Sequence, residues 1–244
     1  MLSKINKAIK KIEKLYSISN SSRYIKYLRK AGVTIGEECI IYEPKKTTID
    51  LTRPYLLDIG DNVRITKGVI ILTHGYEWSV MRDFYKRPMG GCAGIKLGNN
   101  IFIGMNSIIL KGVSVGSNVI IGAGSVVTKN IPDNVVVGGN PAKIICSIDE
   151  LYNKCLSREY QEAKKQYISI LKNAQRQPVK EDFYKSYPHL FLNKNNTLNK
   201  VVEKQFGSSI ENHDISMFSS FEQFSAAIEI EIKAHKQKSE SPNH

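Results

Sequence analysis

LGNNIFIGMNSIILKGVSVGSNVIIGAGSVVTKNI, residues 97–131, decides the fold of this chain. An aliphatic residue returns there at every sixth position, at Leu97, Ile103, Ile109, Val115, Ile121 and Val127. A second set, Ile101, Ser107, Val113, Val119, Ser125 and Ile131, follows four places after each. A helix buries its apolar side with period 3.6 and a half-buried strand with period 2, so a fixed period of six implies a structural unit that stacks. Each hexapeptide supplies a short strand and a turn, with the aliphatic residue inward and a small or β-branched one where the interior narrows at a corner. Gly98, Gly104, Gly116 and Gly122 come next to the aliphatic positions, near Asn99, Asn100, Ser117 and Asn118, and these residue types tolerate turns. One coil cannot bury its own apolar face; stacked coils can.

Upstream, the repeat opens at Val33-Thr34-Ile35-Gly36, with Ile35 and Ile41 in phase and Ile59, Ile65 and Ile71 resuming after an irregular segment, 43–54. The spacing of Ile41 and Ile59 equals three hexapeptides, which reads as one full coil. The interval from Ile71 to Leu97 is not a multiple of six, so a loop over 74–94 leaves the coil and returns. It carries Tyr76, Trp78, Phe84 and Tyr85 with Arg82, Lys86 and Arg87, the make-up of a binding loop rather than slack.

Three segments follow: a basic arm over 1–30, a repeat domain over 31–146 and a helical extension over 147–244. In the arm, Leu2, Ile5, Ile9, Ile12 and Tyr16 draw one apolar stripe along a helix over 2–18, and Tyr24, Tyr27 and Leu28 share one side of a second helix ending near Lys30. The lysine-rich first helix can cap the open end of a solenoid or a subunit contact, or make peripheral contact with an anionic membrane at its cytoplasmic face. Ser147 and Glu150 form a capping box for a helix running to about Asn173, with Leu151, Cys155, Tyr160, Tyr167 and Leu171 facing the solenoid. Pro178 marks a break before a shorter helix within 181–193, a loop follows at 192–200, and a last helix opens at 219–222 and runs to about Lys236. The closing SESPNH reads as frayed.

The net charge of +12 is concentrated in the arm, where nine Lys and Arg face Glu13 alone; residues 31–146 carry +3 and residues 147–244 carry +1. No platform of interleaved aromatic and basic residues appears, so nucleic acid is not an expected partner. No stretch approaches the roughly 20 apolar residues of a membrane span, and the first residues lack the apolar run of a secretion signal, so a cytoplasmic location is expected. Cys39, Cys92, Cys146 and Cys155 show no metal-ligand spacing and read as buried reduced thiols.

LGNN at 97–100, IFIGMNS at 101–107, IIGAGSVVTKN at 120–130 and IPDNVVVGGNPAKII at 131–145 together resemble the hexapeptide-repeat acyltransferases, in their maltose, galactoside and polysaccharide O-acetyltransferase branch. The resemblance spans about residues 31–146. It implies a mainly β fold, a left-handed parallel β-helix with three hexapeptides per coil and helical appendages at both ends, assembled as a homotrimer with sites between subunits. The handedness rests on the resemblance alone, since crossovers between parallel strands are generally right-handed. Acetyl-CoA is the implied acyl donor.

His74 is the one histidine of the repeat domain and stands at the mouth of the excursion loop. A lone histidine is usually structural, but the family places its catalytic base at the start of such a loop, and THGYEW matches that placement. An alcohol is a weak nucleophile at neutral pH, and imidazole, with a pKa near 6.5, can take the hydroxyl proton and hand it to the leaving thiolate. Direct transfer in a ternary complex is expected, because neither Ser79 nor Cys92 sits in an activated setting. Asp58, Asp61 and Glu77 are the carboxylates considered for orienting His74.

The resemblance also carries the coenzyme site. Phe102 stands where the family commonly has Trp in a VWIG motif, and Gly104, Met105, Gly122 and Ala123 line the pantetheine path. Thr128, Lys129 and Lys143 approach the nucleotide phosphates, while Cys146 replaces a second base. His74 and Lys129 are expected to serve the shared site from different faces. Tyr76, Trp78 and Arg82 are the expected contacts of a carbohydrate acceptor, for which Arg82, Lys86 and Arg87 point to an acidic sugar.

O-acetylation of a surface polysaccharide or its precursor is therefore the leading expectation. N-acylation of an amino sugar or xenobiotic, and a solenoid that only binds, are the alternatives. A zinc carbonic anhydrase on the same solenoid is excluded, because it needs three histidine ligands.

Overall fold

The computed structural model describes residues 15–184, 186–187, 190 and 217–240. The helix expected over 2–18 lies outside them except for residues 15–18, of which 15–17 are helical. The loop at 192–200 and residues 241–244 of the closing SESPNH also lie outside, while its first two residues, expected to fray, are helical. By its internal contacts the chain divides into two units, Met1–Tyr152 and Asn153–His244.

The first unit begins with α1 (Ser21–Ala31), capped by the Asn20 side chain, which accepts the Arg23 N–H at 2.9 Å, and ended by Gly32 at φ 104°. A left-handed C-terminal residue is most readily glycine. Fourteen short strands follow. The first sheet holds β1 (Thr34–Ile35), β4 (Leu57–Ile59), β7 (Ile95–Leu97) and β10 (Ser114–Val115) in that order. The second runs β2 (Ile40–Ile41), β5 (Val63–Ile65), β8 (Ile101–Ile103), β11 (Val119–Ile121), β13 (Val135–Gly138) and β14 (Lys143–Ser147). The third holds β3 (Thr48–Ile49), β6 (Ile70–Ile71), β9 (Ile108–Ile109) and β12 (Val126–Val127). Every third strand thus returns to the same sheet, and all pairings but β13–β14 are parallel. The result is a three-sided parallel β-helix. Both in-phase sets of the repeat are buried along its axis, from Leu97 to Ile131.

Only the later coils keep the period. Lys96 pairs with Ser114, Phe102 with Ile120 and Ile108 with Val126, so each of these coils is three hexapeptides long. In the first coil Ile35 pairs with Ile59 and Ile41 with Ile65, which makes it one hexapeptide longer. Ile41 and Ile59 therefore lie on different sheets, and the spacing between them is not one coil. The cause is two widened corners, one holding a 3-10 turn at Pro44–Lys46 and the other, after β3, holding Asp50 to Arg53 and a 3-10 turn at Pro54–Leu56. From the second coil to the third, where Leu57 pairs with Ile95, the step is more than twice a regular coil, because the excursion loop, with α2 (Trp78–Tyr85) inside it, intervenes.

The corner between the first and second sheets is held by side-chain ladders. Asn62, Asn100, Asn118 and Asn134 all take left-handed φ values of 55–61° and pass side-chain hydrogen bonds from coil to coil at 2.8–3.0 Å. Beside them Asp61, Asn99, Ser117 and Asp133 each accept a backbone N–H from the preceding coil. Tyr24, Ile25 and Leu28 of α1 join the solenoid core, and Ser21 and Arg29 satisfy the first coil at Ile41 N and Ile35 O. A sheet edge left open would invite another chain.

In the second unit, α3 (Ile148–Ser169), which starts just before the boundary, continues into a π turn at Ile170–Ala174. The Ser147–Glu150 capping box is present, with Glu150 N donating to Ser147 Oγ at 3.1 Å and Ser147 N to Glu150 Oε2 at 2.7 Å. The described part of the shorter helix is a 3-10 turn at Lys180–Asp182, and the last helix, α4, spans Phe221–Glu240. Tyr160, Tyr167 and Leu171, expected toward the solenoid, pack with Phe183, Leu190, Phe224 and Ile228 in a core of the second unit, and Cys155 is exposed. Cys92 is exposed too, and Cys39 and Cys146 are only partly buried, so none of the four thiols is fully buried as expected. Burial pushes the Cys39 thiol upward, and its Sγ donates to Gly60 O at 3.1 Å. Among the described residues no helix is long and apolar enough to cross a membrane.

Candidate active site

His74 follows β6 where the chain leaves the third sheet. An antiparallel bridge between His74 and Cys92, with Ala93 N donating to Thr73 O at 3.0 Å, closes the base of the excursion loop. The imidazole is thus fixed where the loop meets the solenoid.

Its partner is Asp50. His74 Nδ1 lies 2.6 Å from Asp50 Oδ2, the Asp50 side chain being 4% exposed and that of His74 18%. Thr73 supplies its N–H, at 3.1 Å, and its hydroxyl to the same Oδ2. Thr52 supplies its N–H and hydroxyl to Oδ1 at 2.9 and 2.7 Å. Burial alone would raise the Asp50 carboxyl, but these donors, with His74, outweigh it and hold the group well below the usual carboxylate range. A carboxylate so solvated stays ionised. Thr52 Oγ1 also lies 3.3 Å from His74 Nδ1. Because its hydrogen already goes to Asp50, it offers Nδ1 only lone pairs, and both neighbours therefore call for a proton on Nδ1. Nε2 is left as the basic nitrogen.

Asp50 is not among the carboxylates that the sequence singles out. Of those, Glu77 pairs with Lys111, Asp61 accepts the Glu37 N–H at 2.7 Å, and Asp58 sits exposed in the middle of β4. The dyad joins widened corners of two successive coils, stacked by Asp50 N donating to Ile71 O at 3.0 Å. The one signal in the sequence is the loss of hexapeptide consensus in the segment that holds Asp50.

From His74 an aromatic ladder leads into the loop. The Tyr76 ring stands edge-on to His74 at 5.4 Å, Trp78 lies 6.0 Å from Tyr76, and the Arg82 guanidinium lies 5.4 Å from the Trp78 ring. These three expected acceptor contacts are brought together with His74. The Ser79 hydroxyl donates to Tyr76 O at 2.8 Å.

The expected coenzyme residues fall into two groups. Phe102 points outward from β8 between Ile120 and Arg64. Gly104 and Met105 turn out of β8 directly against Gly122 and Ala123, which turn out of β11, with Gly104 N donating to Ile121 O and Gly124 N to Met105 O, both at 2.8 Å. A Cβ on Gly104 would run into the Ala123 backbone, so the absent side chain lets these corners stack. Lys143, opposite Gly138 on β14, extends this face. Thr128 and Lys129 do not. Leu72 N donates to Ile109 O and Leu110 N to Val127 O, which places Lys111, then Thr128 and Lys129, on the edge that carries His74. Within one chain His74 and Lys129 thus share an edge rather than acting from different faces, and Phe102, Met105 and Ala123 occupy another.

Residues 94–129 match the family model described as bacterial transferase hexapeptide (six repeats). Protein CapG of Staphylococcus aureus is 48% identical over 130 residues, 53% of this chain and 74% of that protein. A maltose O-acetyltransferase structure from Clostridium difficile 630 is 28% identical, covering 60% of this chain and 87% of that one, with a TM-score of 0.43. A hexapeptide-repeat acetyltransferase from Vibrio cholerae, complexed with acetyl coenzyme A, is 23% identical over 55% of this chain and 82% of that one, with a TM-score of 0.41.

Proposed function

Because the chain belongs to the bacterial transferase hexapeptide-repeat family, we propose that it transfers an acetyl group from acetyl-CoA to a sugar hydroxyl of a surface polysaccharide or its precursor, with His74 as general base. Its solenoid is the left-handed parallel β-helix of that family. The observation that carries the proposal is the buried Asp50 carboxylate on His74 Nδ1 at the mouth of an aromatic loop.

In this reading the acceptor stacks on Tyr76 and Trp78, near Arg82, with its hydroxyl at Nε2. Nε2 takes the proton as the oxygen attacks the thioester carbonyl, and Asp50 stabilises the imidazolium that forms. The tetrahedral intermediate collapses with cleavage of the C–S bond, and the imidazolium returns its proton to the departing thiolate. No acyl-enzyme is needed. Phe102 and Met105, half-exposed beside the flat corner made by Gly104, Gly122 and Ala123, suit a pantetheine arm, and the exposed Thr128, Lys129 and Lys143 suit phosphates.

The two edges of one chain do not supply a single groove, so the proposal includes a homotrimer in which the His74 edge of one subunit meets the Phe102 corner of the next.

The test is thiol release from acetyl-CoA against a panel of neutral and acidic oligosaccharides. The expected result is acceptor-dependent release that falls at least about 10²-fold in His74→Ala, the usual contribution of a general base. Release that is unaffected by His74→Ala would overturn the mechanism, and absence of both coenzyme binding and turnover would overturn the function.

A further inference from the structure

On the edge that carries His74, Lys111 is a cation that neither the proposed chemistry nor the coenzyme path uses. Lys111 stands one coil on from the His74 segment, and its ammonium is ion-paired with Glu77 of the excursion loop. The Glu77 carboxylate folds back over Gly75, where a side chain would collide with it. On the returning leg a Cβ at Gly91 would lie 3.3 Å from Lys111 Nζ. Lys111 thus reaches both legs of the loop just beyond the His74–Cys92 bridge. Tyr76 and Trp78 flank Glu77 in the chain and form the aromatic ladder from His74.

We propose that Lys111 is a positioning residue for the acceptor: by holding Glu77 it sets the Tyr76 and Trp78 rings at the distance from His74 that a stacked sugar needs. This rests on the acceptor reading given above, yet its structural half can be tested without it. Lys111 pulls on the first leg beyond Gly75, so losing it frees the rings and leaves the dyad, held by Asp50, Thr52 and Thr73, in place. The pair is only partly shielded, with side chains 31% and 52% exposed, so salt weakens it.

Trp78 is the single tryptophan of the chain, so its fluorescence reports this loop alone. The experiment measures acrylamide quenching of Trp78, together with steady-state kinetics, in the wild type, Lys111→Met, Glu77→Gln and the charge-swapped Glu77→Lys/Lys111→Glu double variant. The expected result is that each single change raises quenching and multiplies the acceptor KM about fivefold, with kcat and the KM for acetyl-CoA nearly unchanged, while the swap restores both. Added salt should bring wild-type quenching toward that of the single variants and leave theirs alone. Quenching unchanged in both single variants overturns the inference. So does a swap that recovers quenching but not the acceptor KM, because Lys111 would then be contacting the acceptor itself. Glu77 lies outside the stacked coils, so Glu77→Gln keeps the test available if Lys111→Met fails to fold. Should quenching respond as expected while no acceptor turns over, the acceptor reading fails and the strut stands.

Discussion

Asp50 accepts hydrogen bonds from Thr52, Thr73 and His74, and so is a structural acceptor as well as, in the proposed mechanism, the group that orients the base. Asp50→Asn keeps the shape but offers Nδ1 an amide, so kcat should fall about 10²-fold with the KM for acetyl-CoA unchanged, read by thiol release. The same variant should change the acid response. A carboxyl whose pKa is lowered by folding contributes stability that is present above its unfolded value, near 3.9, and is lost as pH falls through its lower folded value. Urea unfolding from pH 6 down toward pH 2 should therefore show the wild type losing its advantage over Asp50→Asn; a constant gap would refute the assignment. His74 is legible in the sequence because it stands where the period breaks. Asp50 is not, because its contact joins two coils across irregular sequence, where pattern gives no register and the nearer Glu77, Asp58 and Asp61 compete for the role.

Strand and corner behave differently in how they reveal themselves. A six-residue period survives wherever corners are minimal, so the coils built on β7 to β12 can be read from the chain. The first coil cannot, because its 3-10 turns lengthen two corners without changing the strands. Likewise the capping box announces the start of α3, but not the face it buries: its partner α4 comes much later in the chain, and nothing local identifies it. Corner residues also yield sharp expectations. Gly104→Ala should lower the melting temperature and raise the KM for acetyl-CoA, because the new methyl group meets the Ala123 backbone rather than a flexible side chain. Asn118→Ala should cost about 1–3 kcal/mol, from left-handed strain and the interrupted amide ladder. Asn118→Gly should cost less, because the backbone conformation is then free. Urea melts of the two variants decide the order.

For the molecule as a whole, the proposed mechanism, with His74 and Ala123 on separate edges, makes assembly part of the chemistry. Chains carrying His74→Ala and chains carrying Ala123→Trp should each be inactive. Unfolded together in equal amounts and refolded, they should regain about a quarter of wild-type activity if each site draws one edge from each of two adjacent subunits of a cyclic trimer. Mixtures that stay inactive would place the whole site within one chain. The solenoid class is legible in the sequence, whereas which edges carry the proposed site depends on coil lengths that the sequence disguises. The coil that supplies Asp50 is also a terminal one, and Tyr24, Ile25 and Leu28 of α1 pack on its core. Stacked repeats hold to their nearest neighbours and loosen from their ends. On a slow heating ramp, turnover should therefore disappear several degrees before the far-ultraviolet β signal does: a protein still almost wholly wound, and already silent.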